Sequence, residues 1–230
     1  GGARSGAPAA PAASLDSGGA ETVPQDLSDK LERAVQDLLA AARSTEGWQP
    51  LFDRNGARGF KQSGALLCAR GDSDIPHPVA AVCALLWSPS RKKEFDQNVQ
   101  VCRRLHTYSS HTVLDHLRFT QVWPLAVRVM CVLVHWRVLE DGTVVTVGFS
   151  HAPPDLCPHE EGVVRAECVV AGWVLTPSPD GRRTRATVVV KTDLKGSIPS
   201  SIVGFVSDSQ ARLPAAVTKV LDRDRARHAG

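Results

Sequence analysis

Residues 127–191 carry two β-hairpin signatures in succession, and they limit the fold more than anything else in the chain. "VRVMCVLVHWRVLEDGTVVTVGFS" (127–150) has two β-rich arms around Asp141-Gly142, the pair a type I′ turn asks for. "GVVRAECVVAGWVLTPSPDGRRTRATVVVK" (162–191) repeats the plan around "SPDG". Adjacent hairpins make an antiparallel sheet. Upstream, "GALLCAR", "VAAVCALLW", "NVQVCRRLHTYSS" and "TVLDHLRFTQVW" read as further strands, with a short helical turn at "SPSRKKEFD". "WQPLFDRNGARGFKQSG" (48–64) is turn-rich, with a tight turn at Asn55-Gly56.

Helices flank this run. Leu27, Leu31, Ala34, Val35, Leu38 and Leu39 form a helical stripe that Asp26 or Ser28 can cap. A last helix opens after Pro199 with Ile202, Val203, Val206, Leu213, Val217 and Leu221 as its apolar face. Gly204 and Pro214 weaken it, at about 1 and 3 kcal/mol relative to Ala. The order is helix, seven or more strands, helix: an α+β fold. A long antiparallel sheet curls, and its apolar concave face needs a cover. One helix lying in that concavity fills it poorly, and the space left suits a small hydrophobic ligand.

Composition limits the function classes. A 230-residue chain that is 43% hydrophobic holds one domain with a sizeable core plus a tail. Residues 1–24, rich in Ala, Gly, Pro and Ser, read as a disordered linker; 25–225 as the domain; 226–230 as a flexible tail. The net charge of +3 does not demand nucleic acid, and aromatics, at 5%, do not interleave with the basic clusters, so no nucleic-acid partner is expected. No apolar run reaches the ~18 residues of a membrane span. Six cysteines without C-x-x-C read as free thiols of a reducing, cytoplasmic compartment. Cys102, His106, His111 and His116 lack structural-zinc spacing, so no metal is expected. No P-loop or nucleophile elbow is present. Arg70-Gly71-Asp72 spells an adhesion tripeptide, read as chance.

"EGVVRAE" (161–167), "TDLKGSIPSSI" (192–202), "HWRVLEDG" (135–142) and "RKKEFDQNVQ" (91–100) resemble the START family, the steroidogenic-acute-regulatory-related lipid-transfer domains. The resemblance spans about residues 26–223, with Phe95 where the family has Trp. Within the family it looks most like a domain at the C-terminal end of a large kinesin-like motor. It implies a helix-grip fold, a curved antiparallel sheet around a C-terminal helix. One lipid, of sterol or phospholipid class, sits in an internal tunnel and is carried, sensed or presented. The last helix and the loop 150–162 act as the lid. It further implies no enzyme activity, no cofactor, a monomeric domain within a larger, cytoskeleton-associated chain, and transient contact with a membrane surface. If Arg182–Arg185 sits at the lid end, that tip would dock.

By alignment the family's pocket acid and Arg fall at Leu117 and His135, which suggests a more apolar tunnel. His135 orients a lipid hydroxyl or is a satisfied core histidine. Arg165 matches the Arg of the "RAE" motif, and pairs with Glu167 or a lid carboxylate if its role is structural. Thr146, Cys168, Leu194, Val203, Val206 and Gln210 face the pocket in the same alignment. Two alternatives stay open. One is an interaction or regulatory module whose cavity is plugged by Trp136, Trp173 or Phe205. The other is an enzyme on the same fold.

Overall fold

The structure, a computed structural model, describes residues 23–229 apart from 124 and 158. The expected linker therefore lies outside the described residues, save for positions 23 and 24. In chain order the elements are α1 (Gln25–Arg43), β1 (Gln49–Arg54), β2 (Ala57–Gln62), β3 (Leu67–Ile75), α2 (Val79–Trp87), α3 (Lys92–Phe95), β4 (Val99–Ser109) and β5 (Thr112–Phe119). They continue as β6 (Val127–Val138), β7 (Val144–Ser150), β8 (Val163–Arg165), β9 (Glu167–Pro177), β10 (Thr184–Asp193), α4 (Ser200–Ala211) and α5 (Leu213–Ala229). The sheet runs β1-β2-β3-β10-β9-β7-β6-β5-β4, antiparallel along this path, with β8 attached in parallel to β6. It is curved and grips the C-terminal helices.

Strand alternation gives the sheet two differently covered faces. Leu114, Cys131, Leu133, Val145, Val170 and Val189 pack against the α1 stripe, which is buried from Leu27 to Leu39 as its period requires. Val144, Trp173, Leu175, Ala186 and Val188 turn the other way, toward α2 and the Leu213, Val217, Val220 and Leu221 face of α5. Gly71 of β3 allows the end of α4 to come close: a Cβ there would sit 2.0 Å from the Ala211 carbonyl oxygen. The Gly of the tripeptide Arg70-Gly71-Asp72 thus has a packing reason, and Arg70 and Asp72 pair with each other at 2.9 Å.

Several expectations are corrected. "VAAVCALLW" is the helix α2, not a strand. A short apolar run has no decisive period, and its three alanines and two leucines favour a helix once Pro78 has set the entry. The turn-rich 48–64 stretch is the β1–β2 hairpin, with positive φ at both Asn55 and Gly56. At Asp141-Gly142 only Gly142 has positive φ, and Gly142 N–H donates to Leu139 O at 2.9 Å. That is a tight turn closed by a left-handed Gly, not type I′. Neither Asp26 nor Ser28 caps α1, which starts directly after Pro24. The last helix breaks at Arg212, because Pro214 has no N–H to give the Gln210 carbonyl. α5 then runs on to Ala229, through residues expected to be a tail.

Candidate functional site

Between the concave face and the helices lies a cavity of about 230 Å³. Met130, Val132 and Val134 of β6, Leu117 and Phe119 of β5, and Val188 and Val190 of β10 form its apolar wall. Ile202, Val206 and Gln210 of α4, spaced four apart, close it from above. One end is bounded by the loops 120–126 and 194–198. Arg128 ties these loops together, donating to Ala126 O (2.6 Å), Leu194 O (3.4 Å) and Lys195 O (3.3 Å). In the 120–126 loop the cavity-lining Val122 is exposed and the adjacent Trp123 is 85% exposed; on α4, Phe205, next to the cavity-lining Val206, is 59% exposed.

The wall is not wholly apolar. Arg104 of β4 donates through Nε to Asp115 Oδ1 of β5 at 3.0 Å and through Nη2 to Trp87 O at 3.0 Å. Its guanidinium lies 4.9 Å from the Trp87 ring centroid. Both charged side chains line the cavity. The expectation of a tunnel without a charged pair is thus corrected: positions 117 and 135 are Leu and His, but Arg104 and Asp115 put a charged pair on the wall. Its signal lay in the β4–β5 register, where Arg104 falls opposite Asp115. Read alone, Arg103-Arg104 looks like a solvated basic cluster. A second polar seam holds α4 down. Gln210 donates to Asp96 (3.3 Å), and Asn98 and Gln97 donate to Ser209 Oγ (2.9 and 3.2 Å).

Of the expected site residues, Leu117, Thr146, Cys168, Leu194, Val206 and Gln210 line this one cavity. His135, Arg165 and Val203 do not. On β6 the even-numbered residues face the cavity, so His135 points to the α1 side, where its Nδ1 is 2.9 Å from Thr112 Oγ1. Desolvation, with Arg137 and His111 nearby, pushes its pKa down to about 4. It behaves as a satisfied core histidine. Arg165 donates to the Cys157 carbonyl at 3.0 Å, while Glu167 takes Lys195. Burial raises the Cys102 thiol to about 11 and the Cys168 thiol to about 12, so neither cavity thiol is a nucleophile at neutral pH. Among the described residues no three His, Cys, Asp or Glu side chains converge as a metal site.

The lid expectation changes too. No described residue of the 150–162 loop lines the cavity. Ala152, Leu156 and Cys157 pack into the α1 cluster, and Glu160 is held by Arg118 (2.9 Å) and His116 (3.2 Å), so the loop clasps the opposite face. The Arg182–Arg185 tip lies beside Ile75, at the far end of β10 from Leu194, so it is not at the loop-bounded end. Of the three candidate plugs, Trp173 lines the cavity; Trp136 stacks edge-on against Trp87 with centroids 6.2 Å apart, and Phe205 points to solvent.

A family model for the START domain matches residues 69–216, well over half of the chain. The chain belongs to the START-domain family. The fold agrees with solved members. It is similar to human StAR-related lipid transfer protein 5, with 21% identity over 88% of this chain and 100% of that one, at a TM-score of 0.75. Human STARD10 follows with 18% identity over 89% and 84% of the two chains, at 0.69. The human StarD13 (DLC2) lipid transfer and protein localization domain gives 18% identity over 85% and 98%, at 0.62. No curated protein sequence matches the chain. START membership and these neighbours support lipid binding in general, and no described helix is long and apolar enough to cross a membrane.

Proposed function

We propose that this START domain carries one lipid in the cavity and exchanges it through the loop-bounded end, without chemistry. The observation that carries this reading is a largely apolar chamber whose lining residues Val122 and Val206 have exposed large apolar neighbours in the chain, Trp123 and Phe205. Apolar surface there gains by burial in a bilayer at roughly 25 cal/mol per Å². The gate is α4 with the 120–126 and 194–198 loops, in place of the 150–162 loop. Leu117, Thr146, Cys168, Leu194, Val206 and Gln210 contact the lipid, and Arg104–Asp115 meets its polar group. The pair is already charge-balanced, which favours a lipid whose buried polar group is neutral or zwitterionic over one with an unpaired charge.

Transfer of fluorescent lipid between vesicles tests this. The domain accelerates transfer, and Trp123→Ser with Phe205→Ser slows it roughly tenfold, from lost burial of two large side chains. Transfer no faster than in buffer, for both sterol and phospholipid probes, contradicts the reading. A second reading, an interaction module with a closed cavity, draws on one observation. About 230 Å³ is below the ~300 Å³ at which small-molecule pockets usually begin, and Trp173 occupies part of the wall. In that case no lipid copurifies and none is taken up.

A further inference from the structure

On the face opposite the cavity, the sheet gathers basic side chains around one residue of the 151–162 segment. Residues directly opposed on neighbouring strands point to the same side. Arg118 of β5 and Arg165 of β8 are both opposed to Val129 of β6, one from each flank. Two residues along β5, His116 stands opposite Arg103 of β4. Arg103 is therefore a diagonal neighbour of Arg118, and Arg118 and Arg165 leave the backbone about 10 Å apart, within reach of one ligand between them.

Glu160 of the segment sits among them. Its Oε2 accepts from Arg118 Nη1 at 2.9 Å, and its Oε1 lies 3.2 Å from His116 Nε2. An ionised carboxylate only accepts, so Nε2 carries the imidazole proton and Nδ1 is a bare acceptor. That Nδ1 is buried without a hydrogen-bond partner, and His116 as a whole is 8% exposed. A ring taken out of water thus has its N–H met by a loop carboxylate, and losing that carboxylate would leave the N–H in want of an acceptor. Arg103 is exposed and joins no ion pair among the described residues. Arg165 donates to the Cys157 carbonyl of the same segment at 3.0 Å. Burial holds His116 below its usual pKa, and Arg103 and Arg165 push it the same way, against Glu160.

We propose that this cradle is a binding site for a phosphate monoester, and that Glu160 is its internal stand-in. Near pH 7 a phosphate monoester carries nearly two negative charges and three acceptor oxygens, against one charge and two oxygens on Glu160. It accepts from His116 Nε2 and Arg118 as Glu160 does, and has a further oxygen and charge for Arg103 or Arg165. Guanidinium forks suit such oxygens. Glu160 competes as a tethered group at high effective concentration, so a monovalent anion gains little by replacing it and the dianion gains more. Entry of the phosphate turns Glu160 out. The 151–162 segment then loses its ion pairs to β5 and loosens.

The test titrates the wild-type domain with inorganic phosphate and, separately, with phosphatidylcholine vesicles with and without phosphatidic acid, at one ionic strength set with chloride. The readouts are the His116 ring resonances by NMR and hydrogen exchange of the 151–162 segment. Phosphate is expected to shift the ring resonances and to speed that exchange at least about threefold, where chloride does neither. Arg103 does not hold Glu160, so Arg103→Gln weakens the phosphate response about fivefold and leaves phosphate-free exchange of the segment unchanged. Glu160→Gln strengthens the response, because a neutral amide competes less. A response to inorganic phosphate with none to the vesicles makes the ligand a soluble phosphate ester. A stronger response to phosphatidic acid, absent with phosphatidylcholine alone, makes it a lipid headgroup. Either upholds the site. No response beyond chloride in both arms overturns the proposal, and so does a response that survives Arg103→Gln combined with Arg118→Gln. The cradle and the cavity lie on opposite faces, so neither outcome depends on whether the cavity holds a lipid.

Discussion

Helices α1 and α4 cover opposite faces of one sheet, and different forces hold them. α1 buries six apolar residues in a continuous stripe, with Leu38 fully buried. In α4 the buried residues are Ser207, Ser209, Gln210 and Ala211, while Ile202, Val203 and Val206 are only half-buried. It stays in place through bonds from its last turns to Asp96, Gln97 and Asn98. An element held by apolar burial resists opening, because every exposed side chain costs free energy. An element held by a few polar bonds at one end can swing about that end. The apolar side chains that α4 turns into the cavity are then completed by a ligand. α1 is core, and α4 is the gate of the proposed exchange.

That contrast can be broken or sharpened by substitution. Leu38→Ala empties a fully packed site and costs about 3–5 kcal/mol of global stability in urea titration, with lipid uptake preserved in the fraction that folds. Gly71→Ala drives a Cβ into the Ala211 carbonyl, a backbone atom that cannot turn aside. It costs about 1–3 kcal/mol and shifts α4, seen as faster hydrogen exchange in 200–211 than in 25–43.

Acid acts on the α1 side. His135 has its pKa lowered in the folded state to about 4, from 6.5, so between these values the unfolded chain binds more protons. Stability therefore falls as pH drops from about 6.5 to 4. The loss is about 1–2 kcal/mol after allowance for partial solvent exposure. His135→Gln flattens that slope in urea titrations across the range. The smallest effect is at Gly204. Its Cβ position is open and its backbone is helical, so Gly204→Ala stabilises α4 by about 0.5–1 kcal/mol. Stopped-flow release of a fluorescent lipid then slows, with global stability little changed.

Much of this architecture was legible in the residues. The α1 stripe and the two hairpins follow from period and turn chemistry, and six of nine expected pocket residues do share a cavity. The failures have a common cause. Residue type does not reveal which face of a strand is inside, and one step of register exchanges the faces. His135 and Val134 differ by one such step. Arg104 faces the cavity although Arg103 beside it is exposed. The 150–162 loop has the Pro content of a mobile cover, yet which face it covers depends on contacts from Cys131, His116 and Arg118, far away in sequence.

Native mass spectrometry of the purified domain after incubation with mixed-lipid vesicles tests the central claim most directly. The account expects one lipid per chain, lost selectively in a variant that fills the chamber, such as Val132→Trp. A domain that remains lipid-free under these conditions, while folded by circular dichroism, contradicts it.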